Sequence, residues 1–199
     1  MTEHYYTEKP TSELKIYSIK FNIRNKDVEL FTASGVFSPK SLDVGSEIFL
    51  KNCIINDNWK VLDLGCGYGV MGISLKLLFP SIDLTLSDIN ERALDITKKN
   101  LKKYNLKASV IKSNSFDDIK NKFDTVLLNP PQTAGKQLCF NMIEKSKEHL
   151  NPDGILQLVA RHNKGGKDLS KKMFEVFGNV KEITKTAGFR VYVSKNYKF

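Results

Sequence analysis

The chain has 199 residues, of which 41% are hydrophobic and 27% are charged, a balance that is typical of a folded globular protein and excludes an intrinsically disordered one. No apolar run approaches the roughly 20 residues that span a bilayer, and the first residues lack the basic-then-apolar order of a secretory signal, so we expect a cytoplasmic protein. The net charge of +9 favours a polyanionic partner such as a nucleic acid, although ordinary surface lysines would also produce it.

Residues 1–58 predict a β-hairpin followed by a short helix. Apolar and polar side chains alternate over Leu14–Arg24 and Val28–Ala33, on either side of the turn signal Asn25-Lys26-Asp27. The segment Leu42–Asn52 then has the pattern of a helix. We interpret residues 1–58 as an extension of one domain that covers residues 1–199, with its core at residues 59–199.

From Lys60 onward, strand and helix patterns alternate, which predicts a largely parallel sheet with helices on its faces. The predicted strands are Lys60–Asp63, Leu84–Ser87, Ser109–Lys112, Phe123–Leu128, Ile155–Ala160, Val180–Thr186 and Arg190–Ser194. The predicted helices are Val70–Leu78, Glu91–Tyr104, Gln137–Leu150 and Lys167–Phe177. Because the last two strands leave no room for a helix, Gly188 is expected to turn an antiparallel hairpin. The fold class is therefore α/β, with a Rossmann-like seven-stranded sheet that is parallel except for its last hairpin.

A glycine-rich turn follows the first strand of this sheet. Asp63 stands where the strand ends, and Gly65, Gly67 and Gly69 allow the backbone to approach a ligand closely. The helix that follows would direct its N-terminal amides at that ligand. A carboxylate at Asp63 would repel a pyrophosphate but could accept hydrogen bonds from an ammonium group, which favours a cofactor that carries an amino acid over a dinucleotide.

Polar residues also follow the second and third strands. Asp88 ends the second strand, where a carboxylate can accept hydrogen bonds from both ribose hydroxyls. The alternative for Asp88 is a helix cap before Glu91. After the third strand, Ser113 and Asn114 could bond to an adenine edge. With these residues in place, Lys60 to Ser194 resembles the class I S-adenosylmethionine-dependent methyltransferases, which implies S-adenosyl-L-methionine as the cofactor.

Asn129-Pro130-Pro131 follows the fourth strand as a rigid loop that is rich in hydrogen-bond acceptors. The Asn129 side-chain oxygen and the Pro130 carbonyl could each accept one hydrogen of an amine and so align its nitrogen for methyl transfer; Asn129 would also contact the cofactor. The alternative is a simple strand-ending turn.

The same loop resembles the Asn-Pro-Pro-aromatic signature of methyltransferases that act on planar amines or amides. The chain has Gln132 where those families carry an aromatic residue, and Phe37, Phe140, Tyr5 or Tyr6 are the candidates to stack on the substrate instead. Pro131, Gln132 and Phe37 are expected at the substrate.

Further segments narrow the resemblance. Ser34-Gly-Val-Phe37-Ser38, Asp43-Val-Gly45, Ser113-Asn-Ser-Phe and Phe189-Arg-Val-Tyr-Val occur in an order similar to the catalytic half of the bacterial small-subunit ribosomal RNA guanine-N2 methyltransferases and to short archaeal proteins. The resemblance implies methylation of a guanine amine in rRNA or tRNA. Two rival functions stay open, namely methylation of a protein glutamine amide and an RNA-binding assembly factor without turnover.

Basic residues divide into two predicted groups. The lysines of the predicted helix Glu91–Tyr104 are expected to face solvent; they are Lys98, Lys99, Lys102 and Lys103. The residues predicted to contact phosphates are Lys15, Lys20, Arg24, Lys136, Arg161, His162, Lys164 and Lys167; of these, Lys136 and Arg161 are expected to lie nearest the substrate, and His162 is interpreted as a hydrogen-bonded or solvent-facing histidine rather than a base. No metal is expected, because Cys53, Cys66 and Cys139 lack metal-ligand spacing. The sequence does not indicate an oligomeric state.

Overall fold

The computed structural model describes residue 8, residues 12–131 and residues 134–197. Its N-terminal hairpin pairs β1 (Ile16–Ile23) with β2 (Lys26–Ala33) in an antiparallel arrangement. The turn consists of Arg24 and Asn25, which both have positive φ, at 48° and 64°. This corrects the turn predicted at Asn25-Lys26-Asp27: a two-residue turn with positive φ matches the twist of the strands, so Lys26 and Asp27 belong to β2.

Helix α1 (Val44–Asn52) begins after Asp43, two residues later than predicted. The carboxylate of Asp43 accepts a hydrogen bond of 2.9 Å from the backbone N–H of Ser46, which makes Asp43 the N-cap. At the other end of the helix, the Arg24 guanidinium donates to the carbonyls of Lys51 and Cys53. Arg24 therefore stabilises a helix end, which differs from the phosphate contact predicted for it.

The main sheet has seven strands. In chain order they are β3 (Lys60–Leu64), β4 (Asp83–Asp88), β5 (Ser109–Lys112), β6 (Phe123–Leu128), β7 (Leu150–Arg161), β8 (Lys181–Thr186) and β9 (Phe189–Lys195). Their order across the sheet is β5-β4-β3-β6-β7-β9-β8, and only the pairings of β9 with β7 and β8 are antiparallel. The helices are α2 (Val70–Leu78), α3 (Glu91–Lys103), α4 (Lys136–Glu148) and α5 (Lys167–Phe177). The fold class and the antiparallel hairpin at Gly188 are confirmed.

Strand β7 is the element whose bounds differ most from the prediction. It runs from Leu150 to Arg161, whereas the predicted strand was Ile155–Ala160 and Leu150 was predicted to end the preceding helix. Asp153 has a turn-like positive φ of 64°. Its backbone N–H, however, donates to the Asn196 carbonyl, and the Asn196 N–H donates to Gly154. The pairing of β6 with β7 shifts register between Phe123 and Thr125, which accommodates the extra residues of β7 between Leu150 and Ile155.

The sheet separates two hydrophobic clusters. Val61 of β3 belongs to the cluster that contains the hairpin, α1, α2 and α3, whereas Leu62 and Leu64 of the same strand pack with α4 and α5. This alternation is the consequence of the two-residue period of a strand whose faces are both covered. No helix in the described part of the chain is long and apolar enough to cross a membrane.

Strand order reverses between β3 and β6, since the chain proceeds from β3 outward to β4 and β5 and then returns to β6 on the other side. In open α/β sheets, ligands bind at the carboxyl ends of the strands beside such a reversal. The segments that follow β3, β4, β5 and β6 therefore meet at one edge, which is where the sequence places its candidate residues.

Candidate active site

The glycine-rich turn after β3 contains glycines with two different roles. All three have positive φ, at 73° for Gly65, 56° for Gly67 and 85° for Gly69. A Cβ atom on Gly65 or Gly67 would meet nothing within 4 Å, and both residues line a cavity at the edge of the sheet. A Cβ atom on Gly69 would lie 2.6 Å from Cδ1 of Ile73. Gly69 is the N-cap of α2. Unlike the other two glycines, it does not line the cavity, although a ligand contact was predicted for all three.

Two carboxylates stand at the ends of neighbouring strands, and both line the cavity. Oδ2 of Asp63 accepts a hydrogen bond of 2.8 Å from the Gly72 N–H, and burial raises the pKa of Asp63 to about 7. Asp88 accepts hydrogen bonds from the N–H groups of Gly67, at 2.8 Å, and Asn90, at 2.9 Å. Burial also raises the pKa of Asp88, and these hydrogen bonds oppose that rise. A bound ammonium or hydroxyl group would find acceptors at both carboxylates.

Helix α3 supports the glycine-rich turn from behind, which the sequence did not predict. The Thr97 hydroxyl donates to the Gly67 carbonyl at 2.8 Å, and the Asn100 amide donates to the Tyr68 carbonyl at 3.0 Å. Both side chains are fully buried. Their spacing of three residues on one face of a helix was the signal in the sequence that could have identified them.

Ser113 and Asn114 follow β5 and both line the cavity. The Ser113 hydroxyl donates to the Ser115 carbonyl at 2.9 Å and accepts from the Asp118 N–H at 3.0 Å. It is therefore used within its own turn, whereas the Asn114 side chain is exposed. Of the two residues predicted at an adenine edge, Asn114 is the one whose side chain the turn leaves exposed.

Asn129, Pro130 and Pro131 follow β6, the strand paired with β3, and all three line the cavity. The Nδ2 atom of Asn129 donates a hydrogen bond of 3.1 Å to Oγ of Ser46. Ser46 belongs to α1, is 1% exposed and also lines the cavity. Asp43-Val-Gly45 was named from the sequence but Ser46 was not, because no local pattern indicates a contact between residues 83 positions apart.

The predicted aromatic and basic substrate residues are not all at the cavity. Phe37 lines it, but Phe140 does not; the Phe140 ring lies instead 5.2 Å from Nζ of Lys136. Lys136 pairs with Asp168 at 2.8 Å, and the Arg161 guanidinium lies 4.8 Å from the centroid of the Phe189 ring. Neither cation lines the cavity. Tyr5, Tyr6 and Gln132 lie outside the described residues.

The other predicted phosphate contacts are on the surface. Lys15 and Lys20 form exposed ion pairs with Glu13 and Glu29. The Nδ1 atom of His162 lies 2.7 Å from Oη of the buried Tyr192, as expected for a hydrogen-bonded histidine. The described residues contain no cluster of three or more side chains that could hold a metal ion.

The far wall of the cavity is apolar and was not predicted. Met71 of α2 and Leu138 and Met142 of α4 line it. Including the open space at its mouth, the cavity has a volume of about 1200 Å³, which is enough for a ligand of drug size. Space beside Gly65 and Gly67, two carboxylates and an apolar wall together fit an adenosine-type cofactor with an amino acid group.

The sequence of the chain is also similar to those of known proteins. The family described as methyltransferase small domain matches residues 27–193. The Bacillus subtilis uncharacterized protein YbxB is 33% identical over 98% of the chain and 99% of its own length. Ribosomal RNA small subunit methyltransferase C of Hamiltonella defensa is 40% identical over 84% of the chain, which spans only 50% of that relative.

Among solved structures, the chain is similar to the Thermus thermophilus 16S rRNA N2 G1207 methyltransferase RsmC, in complex with AdoMet and guanosine. The TM-score is 0.79 and the identity is 20%, over 94% of this chain and 52% of the solved one. At this identity the likeness concerns the fold. The chain thus spans about half the length of its relatives named as rRNA methyltransferases and nearly all of YbxB.

Proposed function

Because the chain belongs to the methyltransferase small domain family, we propose that it transfers a methyl group from S-adenosylmethionine to the exocyclic N2 amine of a guanine in RNA. Small-subunit ribosomal RNA is the first candidate substrate and tRNA is the second. The observation that carries the proposal is the meeting of Asn129 and Pro130 with Asp63 and Asp88 in one cavity. The acceptors proposed to hold the amine and the carboxylates proposed to hold the cofactor thus line the same cavity, so a cofactor and a substrate bound there together could contact both.

Asp63, Asp88 and the glycine-rich turn would hold the cofactor. The carboxylate of Asp63 would accept from its ammonium group, and that of Asp88 from its ribose hydroxyls. The exposed side chain of Asn114 would serve the adenine edge. When bound, S-adenosylmethionine supplies an electrophilic methyl group on a positively charged sulfur. The absence of a Cβ atom at Gly65 and Gly67 leaves the cavity open for that cofactor.

Asn129 and Pro130 would hold and orient the amine. The Oδ1 atom of Asn129 and the Pro130 carbonyl would each accept one of its two hydrogens, which would turn the nitrogen lone pair toward the methyl carbon. The nitrogen would later release one proton to solvent. In this arrangement the rate gain comes from alignment and fixed dipoles rather than from a strong base. Phe37 and Pro131 would contact the plane of the guanine.

Two observations favour RNA over a protein substrate. Several relatives are named ribosomal RNA small subunit methyltransferase C, and the net charge of +9 attracts polyanions. Lys164 and Lys167 follow β7, next to Arg161 along the chain, and would contact phosphates. Since the chain spans half of the named relatives, the exact RNA is part of the proposal.

The test is transfer of a labelled methyl group from S-adenosylmethionine to small ribosomal subunits, naked 16S rRNA, tRNA and total protein. We expect label in RNA, recovered after nuclease digestion as N2-methylguanosine by mass spectrometry. Label in protein alone would overturn the proposal in favour of a glutamine amide. Cofactor binding with no label in any fraction would instead support the assembly factor.

A further inference from the structure

We propose that Ser46 and Asp43, at the start of α1, are positioning residues that orient the carboxamide of Asn129 for catalysis. This inference rests on the proposed function, in which Oδ1 of Asn129 accepts a hydrogen of the substrate amine. An asparagine amide has an oxygen face and an NH2 face of almost the same shape. If it turned over, two N–H groups would confront the amine. The active site therefore requires a device that distinguishes the two faces.

The contacts of Ser46 provide such a device. Its Oγ lies 3.1 Å from Nδ2 of Asn129 and 3.3 Å from Oδ2 of Asp43. The same Oδ2 accepts the backbone N–H of Ser46 at 2.9 Å. These atoms form a chain from the Asn129 amide through the hydroxyl to the carboxylate. It joins residues 83 positions apart in sequence.

The hydroxyl has one proton, and the carboxylate determines where it goes. Asp43 is an acceptor only and bonds more strongly to a donor than a neutral group does. The Ser46 proton therefore points to Asp43, and the lone pairs of Oγ are left to accept. Only the NH2 face of Asn129 can donate to them. This fixes Oδ1 as the amide atom that is able to accept from a substrate.

Burial protects these hydrogen bonds from competition by water. Ser46 is 1% exposed, so no water can easily replace its hydroxyl. Asp43 holds two hydrogens of the same residue, one from the helix backbone and one from the hydroxyl. The N-cap of α1 thus serves both to begin the helix and to orient a catalytic side chain on the neighbouring loop. Nothing else among the described residues bonds to the Asn129 amide.

The first test compares Ser46→Ala with Ser74→Ala. Ser74 is also a fully buried helical serine, but its hydroxyl has no hydrogen-bond partner among the described residues and it does not line the cavity. We expect Ser46→Ala to lower kcat by about 10- to 100-fold, as for other losses of alignment, with unchanged affinity for S-adenosylhomocysteine. Ser74→Ala should leave both unchanged. Equal kcat in the two variants would overturn the proposal.

A second pair separates positioning from folding. Asp43→Ser keeps an N-cap for α1 but is too short to hold Oγ of Ser46, whereas Asp43→Asn keeps an acceptor for both hydrogens. We expect Asp43→Ser to lower kcat as Ser46→Ala does, with a melting temperature close to that of Asp43→Asn. If Asp43→Ser were as active as Asp43→Asn, the carboxylate would have no part in positioning.

A spectroscopic measurement keeps the inference testable even if no RNA is methylated. The side-chain NH2 resonances of Asn129 can be assigned by their absence in Asn129→Ala. We expect these resonances to shift and their hydrogen exchange to become faster in Ser46→Ala, but not in Ser74→Ala. Unchanged resonances in Ser46→Ala would contradict the contact itself. Failure of methyl transfer with the expected shift would instead count against the proposed function alone.

Discussion

The carboxylate of Asp88 and the backbone N–H of Gly67 are joined by a hydrogen bond of 2.8 Å. The last residue of β4 therefore helps to hold the middle glycine of the turn that follows β3. A second bond, from the Asn90 N–H, fixes the other carboxylate oxygen at 2.9 Å. Each oxygen keeps a further lone pair for a ribose hydroxyl. The residue predicted to bind the ribose thus also holds the glycine-rich turn that lines the same cavity.

Asp88→Ala is expected to weaken the binding of S-adenosylhomocysteine. Hydrogen bonds to a charged group contribute about 1.5 to 3 kcal/mol, so the loss should be about 10- to 100-fold. Isothermal titration calorimetry measures it directly. Asp83→Ala is the matched control, because Asp83 is exposed at the opposite end of the same strand. An affinity unchanged by Asp88→Ala would remove Asp88 from the ribose site.

The buried carboxyl of Asp63 should make stability depend on pH. Its pKa in the folded protein is about 7 because of burial, against an ordinary value of 3.8. Between these values the folded state holds one proton more than the unfolded state. The free energy of unfolding should therefore decrease as the pH rises from 4 to 7, by up to about 1.4 kcal/mol per unit, and level off above 7.

Urea denaturation of the wild type and of Asp63→Asn, in steps between pH 5 and pH 8, isolates this contribution. Asparagine cannot ionise but can still accept from the Gly72 N–H. Subtracting its pH profile from that of the wild type should remove the effects of the other titrating groups. Parallel profiles for the two proteins would show that Asp63 is ionised throughout the range.

The sequence predicted those residues of the cavity lining that lie at strand ends next to local signals. Asp63 and Gly65 follow one apolar strand, and Asp88 and Asn129 end or follow two others, so the rule that ligands bind at carboxyl ends of parallel strands was sufficient. Ser46 could not be found in this way. Its contact with Asn129 depends on how α1 packs against the end of the sheet, which no local pattern encodes.

The same limit applies to the apolar wall and to the basic residues. Met71 and Leu138 have the helical spacing of ordinary core residues, and only the assembled fold places them at the cavity. Arg24 and Lys136 were assigned by charge and position along the chain. Neighbouring groups decide their contacts instead: helix carbonyls for Arg24 and Asp168 for Lys136.

Gly72→Ala should destabilise the protein although alanine favours helices by about 1 kcal/mol. An added Cβ would lie 2.7 Å from Cδ2 of Leu86 and 3.0 Å from Cδ1 of Leu84, both buried in β4. Overpacking of this kind costs about 1 to 3 kcal/mol. Chemical denaturation of Gly72→Ala, Leu86→Val and the double variant gives the coupling. A double variant as unstable as the sum of its parts would exclude the close contact as the cause.

Asn129→Ala is expected to lower methyl transfer by about 100- to 1000-fold, as for other groups that stabilise a transition state through fixed dipoles. Affinity for S-adenosylhomocysteine should remain measurable by calorimetry, because Asp63 and Asp88 are intact. Asn22→Ala, on the exposed hairpin, is the control. A normal kcat at saturating S-adenosylmethionine together with weakened cofactor binding would assign Asn129 to the cofactor rather than to the amine.

Asn100 joins the N-terminal hairpin to the glycine-rich turn. Its Oδ1 accepts from the Phe31 N–H at 2.8 Å, and its Nδ2 donates to the carbonyls of Phe31, at 2.8 Å, and Tyr68, at 3.0 Å. The side chain is fully buried. Asn100→Ala would leave these backbone groups without partners, and each buried group that loses its partner costs about 1 to 3 kcal/mol.

We therefore expect Asn100→Ala to lower the free energy of unfolding by about 2 to 4 kcal/mol and, by loosening Tyr68, to weaken cofactor binding as well. Lys98→Ala on the exposed face of the same helix should change neither, because surface substitutions of this kind usually stay within about 0.5 kcal/mol. Urea denaturation and calorimetry on both variants make the comparison. If Asn100→Ala were only as destabilising as Lys98→Ala, water would have replaced the amide, and the hairpin would not depend on this side chain for its attachment to the site.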